Sequence, residues 1–151
     1  MSLRKATVAD VPRIHGLIRT AARRHLLLAR SLADLYDSVR DFWVWEAQGE
    51  GVVGCAALHV VWEDLGEVRS LVVAPGHRGR GLGRSLVLAC LKEAPQIGLR
   101  RVFVLTYIPD FFRRLGFSPI AKSALPHKVW ADCVNCPDFP DCSEEALILE
   151  L

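Results

Sequence analysis

The 151-residue sequence lacks several features that mark whole classes of protein. No apolar run approaches the roughly 20 residues of a membrane-spanning helix, and Met1–Lys5 lead straight into a helix signal instead of a secretory leader. The net charge of +2 is too small to indicate a nucleic-acid partner or an anionic membrane. No internal repeat or low-complexity segment is present. The sequence therefore predicts a cytoplasmic protein that forms one domain over residues 1–151.

Periodicity in the first half of the chain predicts a strand, two helices and three more strands. The first helix is expected to begin at Thr7, with Asp10 completing a weak capping box, and to reach Arg24. Ser31 is expected to cap the second helix. The predicted strands are Leu3–Ala6, Phe42–Gln48, Val52–Trp62 and Glu67–Val73. Turns separate the last three of them, which are therefore expected to form an antiparallel meander. Gly54, inside the third of these strands, indicates a bulge or a close approach.

The second half continues with a helix that Pro95 and Gly98 are expected to end. The strand Arg101–Thr106 should run parallel to Glu67–Val73, because a helix connects the two. A short helix, a short strand, an irregular region over 121–143 and a last strand from Glu145 complete the chain. The order β-α-α-β-β-β-α-β-α-β-β predicts an α+β fold with a mixed, mostly antiparallel sheet flanked by helices.

The stretch LVVAPGHRGRGLGR, residues 71–84, joins a strand to a helix through a glycine loop. Glycines let the backbone turn sharply and approach a ligand, and the free N–H groups of a first helical turn bind anions. The arginines of this loop add positive charge suited to phosphate oxygens. We therefore predict that the loop binds a pyrophosphate group. The candidate cofactor-binding residues of the whole stretch are Leu71, Val72, Val73, Arg78, Gly79, Arg80, Gly81, Leu82, Gly83 and Arg84.

The glycine spacing narrows the choice of pyrophosphate ligand. A dinucleotide fingerprint requires G-x-G-x-x-G and an acidic residue about 20 residues on, whereas this loop reads G-x-G-x-G and Glu93 lies inside the following helix. A Walker loop ends in G-K-[ST], and this loop has no lysine. The remaining pattern, R-G-x-G-x-G after an L-x-V strand, resembles the acetyl-CoA signature of the GNAT N-acetyltransferases.

Nearly the whole chain fits this resemblance, because its predicted element order is that of the GNAT fold. Phe111–Phe117 is similar to the family's F-Y-x-x-L-G-F segment, with Phe112 where many members have tyrosine. Within the family, several blocks resemble the acetyltransferase domain of the N-acetylglutamate synthases; they are Leu27–Ser31, Phe42–Val44, Gly54–His59, Asp64–Arg69 and Val102–Thr106. The resemblance implies acetyl-CoA-dependent acetylation of the α-amine of L-glutamate, the entry step of arginine biosynthesis, by a short stand-alone form. The amino-acid-kinase-like domain of the long forms is not in this sequence, which puts arginine feedback in doubt, and a homodimer is compatible with the family.

The resemblance also implies candidates for the acid–base groups that acetyl transfer to an amine needs. Glu67, six residues before Val73, is the candidate general base, acting through a water; the alternative is a solvent-facing carboxylate. Tyr107, just after the fifth strand, is the candidate acid for the departing thiolate, and the alternative is a packed aromatic ring. Phe112 cannot donate a proton. In the GNAT fold the acetyl group lies where the strands of Glu67–Val73 and Arg101–Thr106 splay apart.

A glutamate substrate would bring two carboxylates that need cationic partners. Arg30, Arg69 and Lys128 are the candidates: Arg30 follows from the resemblance, and Arg69 shares a strand face with Glu67. The alternative for each is a solvated surface cation. Two other functions stay open: a GNAT enzyme that acts on another amino acid or small amine, and a non-catalytic acetyl-CoA-binding regulatory module.

The C-terminal region contains a group of residues with metal-ligand spacing. The pattern H-x5-C-x2-C-x5-C is compatible with a structural Cys3His zinc site. Its members are His127, Cys133, Cys136 and Cys142. The alternative is a cluster of exposed or packed thiols without metal. Cys55 and Cys90 are expected to be small core residues.

Overall fold

The computed structural model describes residues 2–24, 26–126 and 144–151. Helices and strands follow one another in the order that the sequence predicts. The helices are α1 (Val11–Arg23), α2 (Leu32–Asp37), α3 (Leu82–Gln96) and α4 (Pro109–Arg113). The strands are β1 (Ser2–Lys5), β2 (Phe42–Ala47), β3 (Gly51–Val60), β4 (Leu65–Val73), β5 (Arg101–Thr106), β6 (Ser118–Pro119) and β7 (Glu145–Glu150).

The strands form a seven-stranded sheet in the order β1-β2-β3-β4-β5-β7-β6. The pairs β1–β2, β2–β3, β5–β7 and β6–β7 are antiparallel, and β4 and β5 are parallel over Leu65–Glu67 and Arg101–Phe103. The parallel pair is the one joined by helix α3, because a parallel connection needs a crossover. The predicted α+β fold with a mostly antiparallel sheet is confirmed.

The chain divides into two compact units, Met1–His59 with Val68–Glu93, and Val60–Glu67 with Ala94–Leu151. In the first unit, apolar side chains of α1 and α2 pack on the sheet; this core includes Ile14, Ile18, Leu35, Val44, Cys55 and Val72. In the second unit a smaller core forms around Phe103 and includes Val61, Leu65, Leu125 and Ala146. None of the described helices is long and apolar enough to cross a membrane.

Local capping explains where the first two helices begin. The Asp10 carboxylate accepts hydrogen bonds from the Thr7 N–H at 2.7 Å and from Arg4 Nη1 at 2.8 Å. A short 3-10 turn over Val8–Asp10 therefore precedes α1. The Ser31 hydroxyl accepts a hydrogen bond from the Asp34 N–H at 3.1 Å, which caps α2 as predicted.

Several element boundaries differ from the predicted ones: α1 begins at Val11 instead of Thr7, β3 covers Gly51–Val60 instead of Val52–Trp62, and β4 and α3 differ as well. Strand β4 begins at Leu65, not Glu67, because Leu65 and Gly66 pair with β5. Helix α3 continues through Pro95 to Gln96, so the proline does not end it. Gly98 ends it instead, at φ +92°, and the Leu99 N–H bonds back to the Ala94 carbonyl.

Gly54 marks both a register shift and a close approach, as predicted. Trp45 pairs with Gly54, but Glu46 pairs with Val52, so the β2–β3 register shifts there by one residue. A Cβ atom at Gly54 would lie 3.1 Å from Leu86 Cδ1 of α3. The glycine therefore lets α3, which follows the glycine loop, pack close to β3.

Candidate active site

The glycine loop has the backbone conformation that only glycine adopts without strain. After β4 comes a 3-10 turn, Pro75–His77, and α3 begins at Leu82. Gly79 and Gly81 both have φ +80°. A Cβ atom at either position would meet no atom within 4 Å, so backbone conformation, and not lack of space, requires glycine here. The open side of the loop has room for a ligand.

Donors and positive charges surround this open loop. The Ser85 N–H bonds the Gly81 carbonyl at 3.0 Å, so the preceding N–H groups of the first turn of α3 have no intrahelical acceptor. Arg80 and Arg84 are exposed beside them. Arg78 is also exposed, and its Nε donates to the Val73 carbonyl at 3.1 Å, which ties the loop to the end of β4. Backbone donors, a helix N-terminus and arginines together fit a pyrophosphate group.

Contacts with the β2–β3 hairpin hold the loop in place. The Ala74 N–H bonds the Val53 carbonyl at 2.8 Å, and Leu82 packs against Ala47 and Val53. His77 is buried, and its Nε2 lies 3.2 Å from Glu50 Oε1. Because a carboxylate oxygen only accepts, Nε2 is the protonated nitrogen of this pair. No local pattern around His77 indicates this contact, since Glu50 lies 27 residues away in the chain.

We expect His77→Ala to weaken CoA binding about fivefold, because one loop-ordering hydrogen bond contributes about 1 kcal/mol. Isothermal titration calorimetry with CoA measures this change. His77→Gln is the matched variant: its amide keeps a donor for Glu50 and should retain most of the affinity. Unchanged affinity in His77→Ala would show that the loop keeps its shape without the pair.

A second group of polar side chains surrounds Ser70 in β4, the same strand that leads into the glycine loop. Ser70 has φ +57°, the only positive φ of a non-glycine residue in the described parts of the chain. Arg30, predicted as a substrate ligand, donates to Ser70 Oγ at 3.2 Å and to Asp34 Oδ2 at 2.7 Å. Arg30 therefore contacts β4. Its role as a substrate ligand stays a prediction.

The charges near Asp34 identify further cations of this unit. The hydrogen bond from Arg30 is the largest cause that lowers the pKa of Asp34, and the charges of Arg69 and His59 lower it as well. His59 Nδ1 lies 3.0 Å from Asp41 Oδ2. Because a carboxylate oxygen only accepts, Nδ1 carries the proton of this contact. In the sequence, His59 is only the last residue of the block Gly54–His59, and no local pattern connects it with Asp41, 18 residues earlier.

The two predicted acid–base residues lie in the second unit. Glu67 is half-buried on β4, where it pairs with Phe103 of β5. Tyr107, also half-buried, follows β5 directly, and the Ile108 N–H donates to Thr106 Oγ1 at 2.9 Å in the turn that follows. The catalytic roles of Glu67 and Tyr107 remain predictions.

Phe112 is a core residue of the second unit. It is 4% exposed and makes edge-to-face contacts with Phe111 and Phe117, with ring centroids 5.0 and 5.4 Å apart. The Phe112 ring therefore packs helix α4 against Phe117, the residue just before β6.

The predicted zinc ligands and Lys128 fall on 127–143, outside the residues that the structure describes. Over the described part of the chain, no three His, Cys, Asp or Glu side chains are grouped to hold a metal ion. Cys55 and Cys90 are free thiols in the core, as predicted, and burial raises the pKa of each to about 12.

With this fold and this loop, comparison with known proteins identifies the class. The sequence profile of the acetyltransferase (GNAT) family matches residues 13–117. The chain belongs to the GNAT acetyltransferase family and is an acyltransferase. It is similar to the amino-acid acetyltransferase of Mycobacterium tuberculosis, with 43% identity over 140 residues that cover 91% of this chain and 79% of the relative. It is also similar to an uncharacterized N-acetyltransferase of Chlorobaculum tepidum, with 36% identity over 149 residues that cover 99% and 96% of the two chains.

Solved structures agree with this placement. A Mycobacterium tuberculosis protein crystallised in complex with CoA and NLQ has a TM-score of 0.83 and 36% identity, covering 100% of this chain and 99% of its own. N-acetylglutamate synthase from Neisseria gonorrhoeae, complexed with coenzyme A and N-acetyl-glutamate, has a TM-score of 0.90 and 30% identity. That match covers 99% of this chain but 35% of the gonococcal chain, so this sequence spans about a third of that protein.

Proposed function

We propose that this acetyltransferase transfers the acetyl group of acetyl-CoA directly to the α-amine of L-glutamate. The observation that carries the proposal is the 43% identity to an amino-acid acetyltransferase over 91% of the chain. The similarity to a synthase complexed with N-acetyl-glutamate supports glutamate as the acceptor. The cations Arg30 and Arg69, which both lower the pKa of Asp34, add a setting suited to an anionic substrate.

Acetyl-CoA is proposed to bind along the end of β4 and over the glycine loop. Backbone groups of Leu71–Val73 would hydrogen-bond the pantetheine arm, in the way one strand pairs with another. The pyrophosphate would lie against the positive-φ glycines, the first turn of α3 and the exposed arginines Arg80 and Arg84. CoA in a similar crystal structure supports this choice of ligand.

The acceptor carboxylates are proposed to pair with cations of the first unit. Arg69 is the first candidate, because it lies on β4 one residue before Ser70. Arg30 already donates through Nε, Nη1 and Nη2, so only its remaining N–H groups are available to a substrate. Lys128, outside the described residues, remains the third candidate.

The proposed chemistry is a direct transfer. The neutral amine attacks the thioester carbonyl, the C–N bond forms and the C–S bond breaks. Glu67 accepts the first proton of the substrate ammonium, through a water. Tyr107 protonates the departing thiolate and regains its proton from the nitrogen of the collapsing intermediate. Positioned acid–base groups of this kind contribute about 10²–10⁴-fold in rate.

A free-thiol release assay with acetyl-CoA against a panel of amino acids and amines tests the proposal. Saturable release that prefers glutamate supports it. Release with another amine and none with glutamate would refute the glutamate assignment and favour the alternative acceptor. Binding of acetyl-CoA without turnover on any amine would favour the regulatory module.

We expect Arg69→Ala to raise the KM for glutamate about 10–100-fold, because a charged hydrogen bond to a carboxylate contributes about 1.5–3 kcal/mol. The KM for acetyl-CoA should not change. The KM of Arg69→Lys for glutamate should lie between those of the wild type and Arg69→Ala. Steady-state kinetics measure both constants. Arg19→Ala, an exposed arginine on α1, is the matched control. An unchanged KM for glutamate in Arg69→Ala would remove Arg69 from the site.

The other sequence predictions enter this proposal unchanged. Structural zinc on His127, Cys133, Cys136 and Cys142 is proposed from spacing alone. A cytoplasmic location, a homodimer and a single domain are likewise proposals from the sequence.

A further inference from the structure

The backbone of Ser70 is held in a conformation that a serine rarely adopts. Its φ of +57° lies in the left-handed region, in the middle of strand β4. L-residues other than glycine pay an energetic cost there, and such residues persist only where their surroundings hold them. The position matters because the next three residues are Leu71–Val73, the end of β4 that leads into the glycine loop.

Two side chains from distant parts of the chain contact Ser70. Arg30 Nη1 donates to Ser70 Oγ at 3.2 Å. The Cys55 thiol, on β3, donates to the Ser70 carbonyl at 3.4 Å. Burial keeps the pKa of this thiol at about 12, so it stays protonated and remains a donor at neutral pH. The side-chain oxygen and the carbonyl of the strained residue are therefore both bound.

Arg30 is itself fixed before it reaches Ser70. Its side chain is 8% exposed, although arginine is among the residues least often buried. Nε donates to Asp34 Oδ2 at 2.7 Å, Nη2 donates to Ser38 Oγ at 2.8 Å, and the guanidinium lies 5.4 Å from the centre of the Phe42 ring. Each of its three nitrogens therefore has a different acceptor, and the group cannot move away from Ser70 without losing these bonds.

We propose that Arg30 is a positioning residue that holds Ser70 in its left-handed conformation and so sets the direction of Leu71–Val73 for acetyl-CoA. This rests on the proposed function only in assigning acetyl-CoA to that strand end. Arg30 then acts on the cosubstrate through Ser70, whatever it contributes to the amine. If Arg30 acts by maintaining the left-handed conformation at position 70, then a residue there that adopts this conformation without an energetic cost should make Arg30 dispensable for acetyl-CoA binding.

The test compares alanine with glycine at position 70. Ser70→Ala removes the acceptor of Arg30 and keeps the cost of positive φ, so the Kd for acetyl-CoA should rise about tenfold. Ser70→Gly removes the acceptor and the cost together, so its Kd should stay within about twofold of the wild type. Calorimetry without any amine measures both constants. Ser118→Ala, an exposed serine on β6, is the matched control.

Arg30→Lys completes the test as a double-mutant cycle. Alone, it should raise the Kd for acetyl-CoA about fivefold; in the Ser70→Gly background it should add nothing. Equal losses in Ser70→Ala and Ser70→Gly would overturn the proposal. So would an Arg30→Lys variant that raises the KM for the amine and leaves the Kd for acetyl-CoA unchanged.

Hydrogen–deuterium exchange of the ligand-free protein separates this proposal from the proposed function. Exchange at Leu71–Val73 should be faster in Ser70→Ala and in Arg30→Lys than in the wild type, whether or not any amine is acetylated. Absence of turnover with altered exchange would refute the function alone. Unchanged exchange in both variants would refute the positioning role alone.

Discussion

Glu67→Gln is expected to lower kcat for glutamate acetylation about 100-fold or more, with little change in the KM for acetyl-CoA. The substitution keeps the size and hydrogen-bonding ability of the side chain and removes its capacity to accept a proton. General-base assistance of this kind contributes about 10²–10⁴-fold. The half-buried position of Glu67 on β4, where it pairs with Phe103, should hold a glutamine in the same place.

Steady-state kinetics over a range of pH measure this effect and its cause. In the wild type, kcat should fall at low pH as the base becomes protonated; in Glu67→Gln that limb should disappear. Glu63→Gln, an exposed carboxylate four residues earlier, is the control and should behave as the wild type. If Glu67→Gln keeps both its rate and its low-pH limb, the base is another residue, and His59 with its Asp41 partner is the next candidate.

Gly81→Val is expected to raise the Kd for CoA about 100-fold. At φ +80° a β-branched residue is strained by about 1–2 kcal/mol, and relief of that strain turns the loop N–H groups away from the phosphates. Loss of even one charged hydrogen bond adds about 1.5–3 kcal/mol. Since a Cβ atom at Gly81 meets nothing within 4 Å, the effect arises from backbone conformation and not from a steric clash.

Gly98→Val separates backbone strain from ligand binding. Gly98 has φ +92°, lies just after α3 and also has open space around its Cα. The two variants should lose similar amounts of thermal stability, but only Gly81→Val should lose affinity for CoA in calorimetry. Equal losses of affinity would mean that the glycine loop binds no pyrophosphate and that strain anywhere in the chain disturbs binding.

The features that were predictable from the sequence depend on residues close together in the chain. The Ser31 cap needs only Asp34, three residues on, and the glycine loop needs only the strand before it and the helix after it. The boundary of β4 was harder, because Leu65 and Gly66 look like a turn until they pair with Arg101 and Val102. Local patterns thus located the elements, and pairing with distant residues decided where β4 began.

In the candidate site, too, the residues with local patterns were predictable and those with distant partners were not. The glycine loop and the start of α3 were recognisable from the sequence, whereas the Glu50 carboxylate that contacts His77 lies in a different turn. Nothing in the letters around Ser70 indicates positive φ, since that conformation depends on Arg30, 40 residues earlier, and on Cys55. Residues that orient other residues leave no local pattern, so sequence reasoning found candidate ligand-binding groups more readily than the groups that hold them.

The reactivity of the two buried thiols can be used to measure how often the first unit opens. Cys55 on β3 and Cys90 on α3 are fully covered, and burial raises the pKa of both to about 12, so a thiol reagent at neutral pH meets almost no thiolate until the structure opens. The rate at which these two positions become modified therefore measures opening of the protein rather than intrinsic reactivity. Mass spectrometry that resolves each cysteine would give the free energy of opening separately for the sheet and for the helix behind the glycine loop, with no added probe.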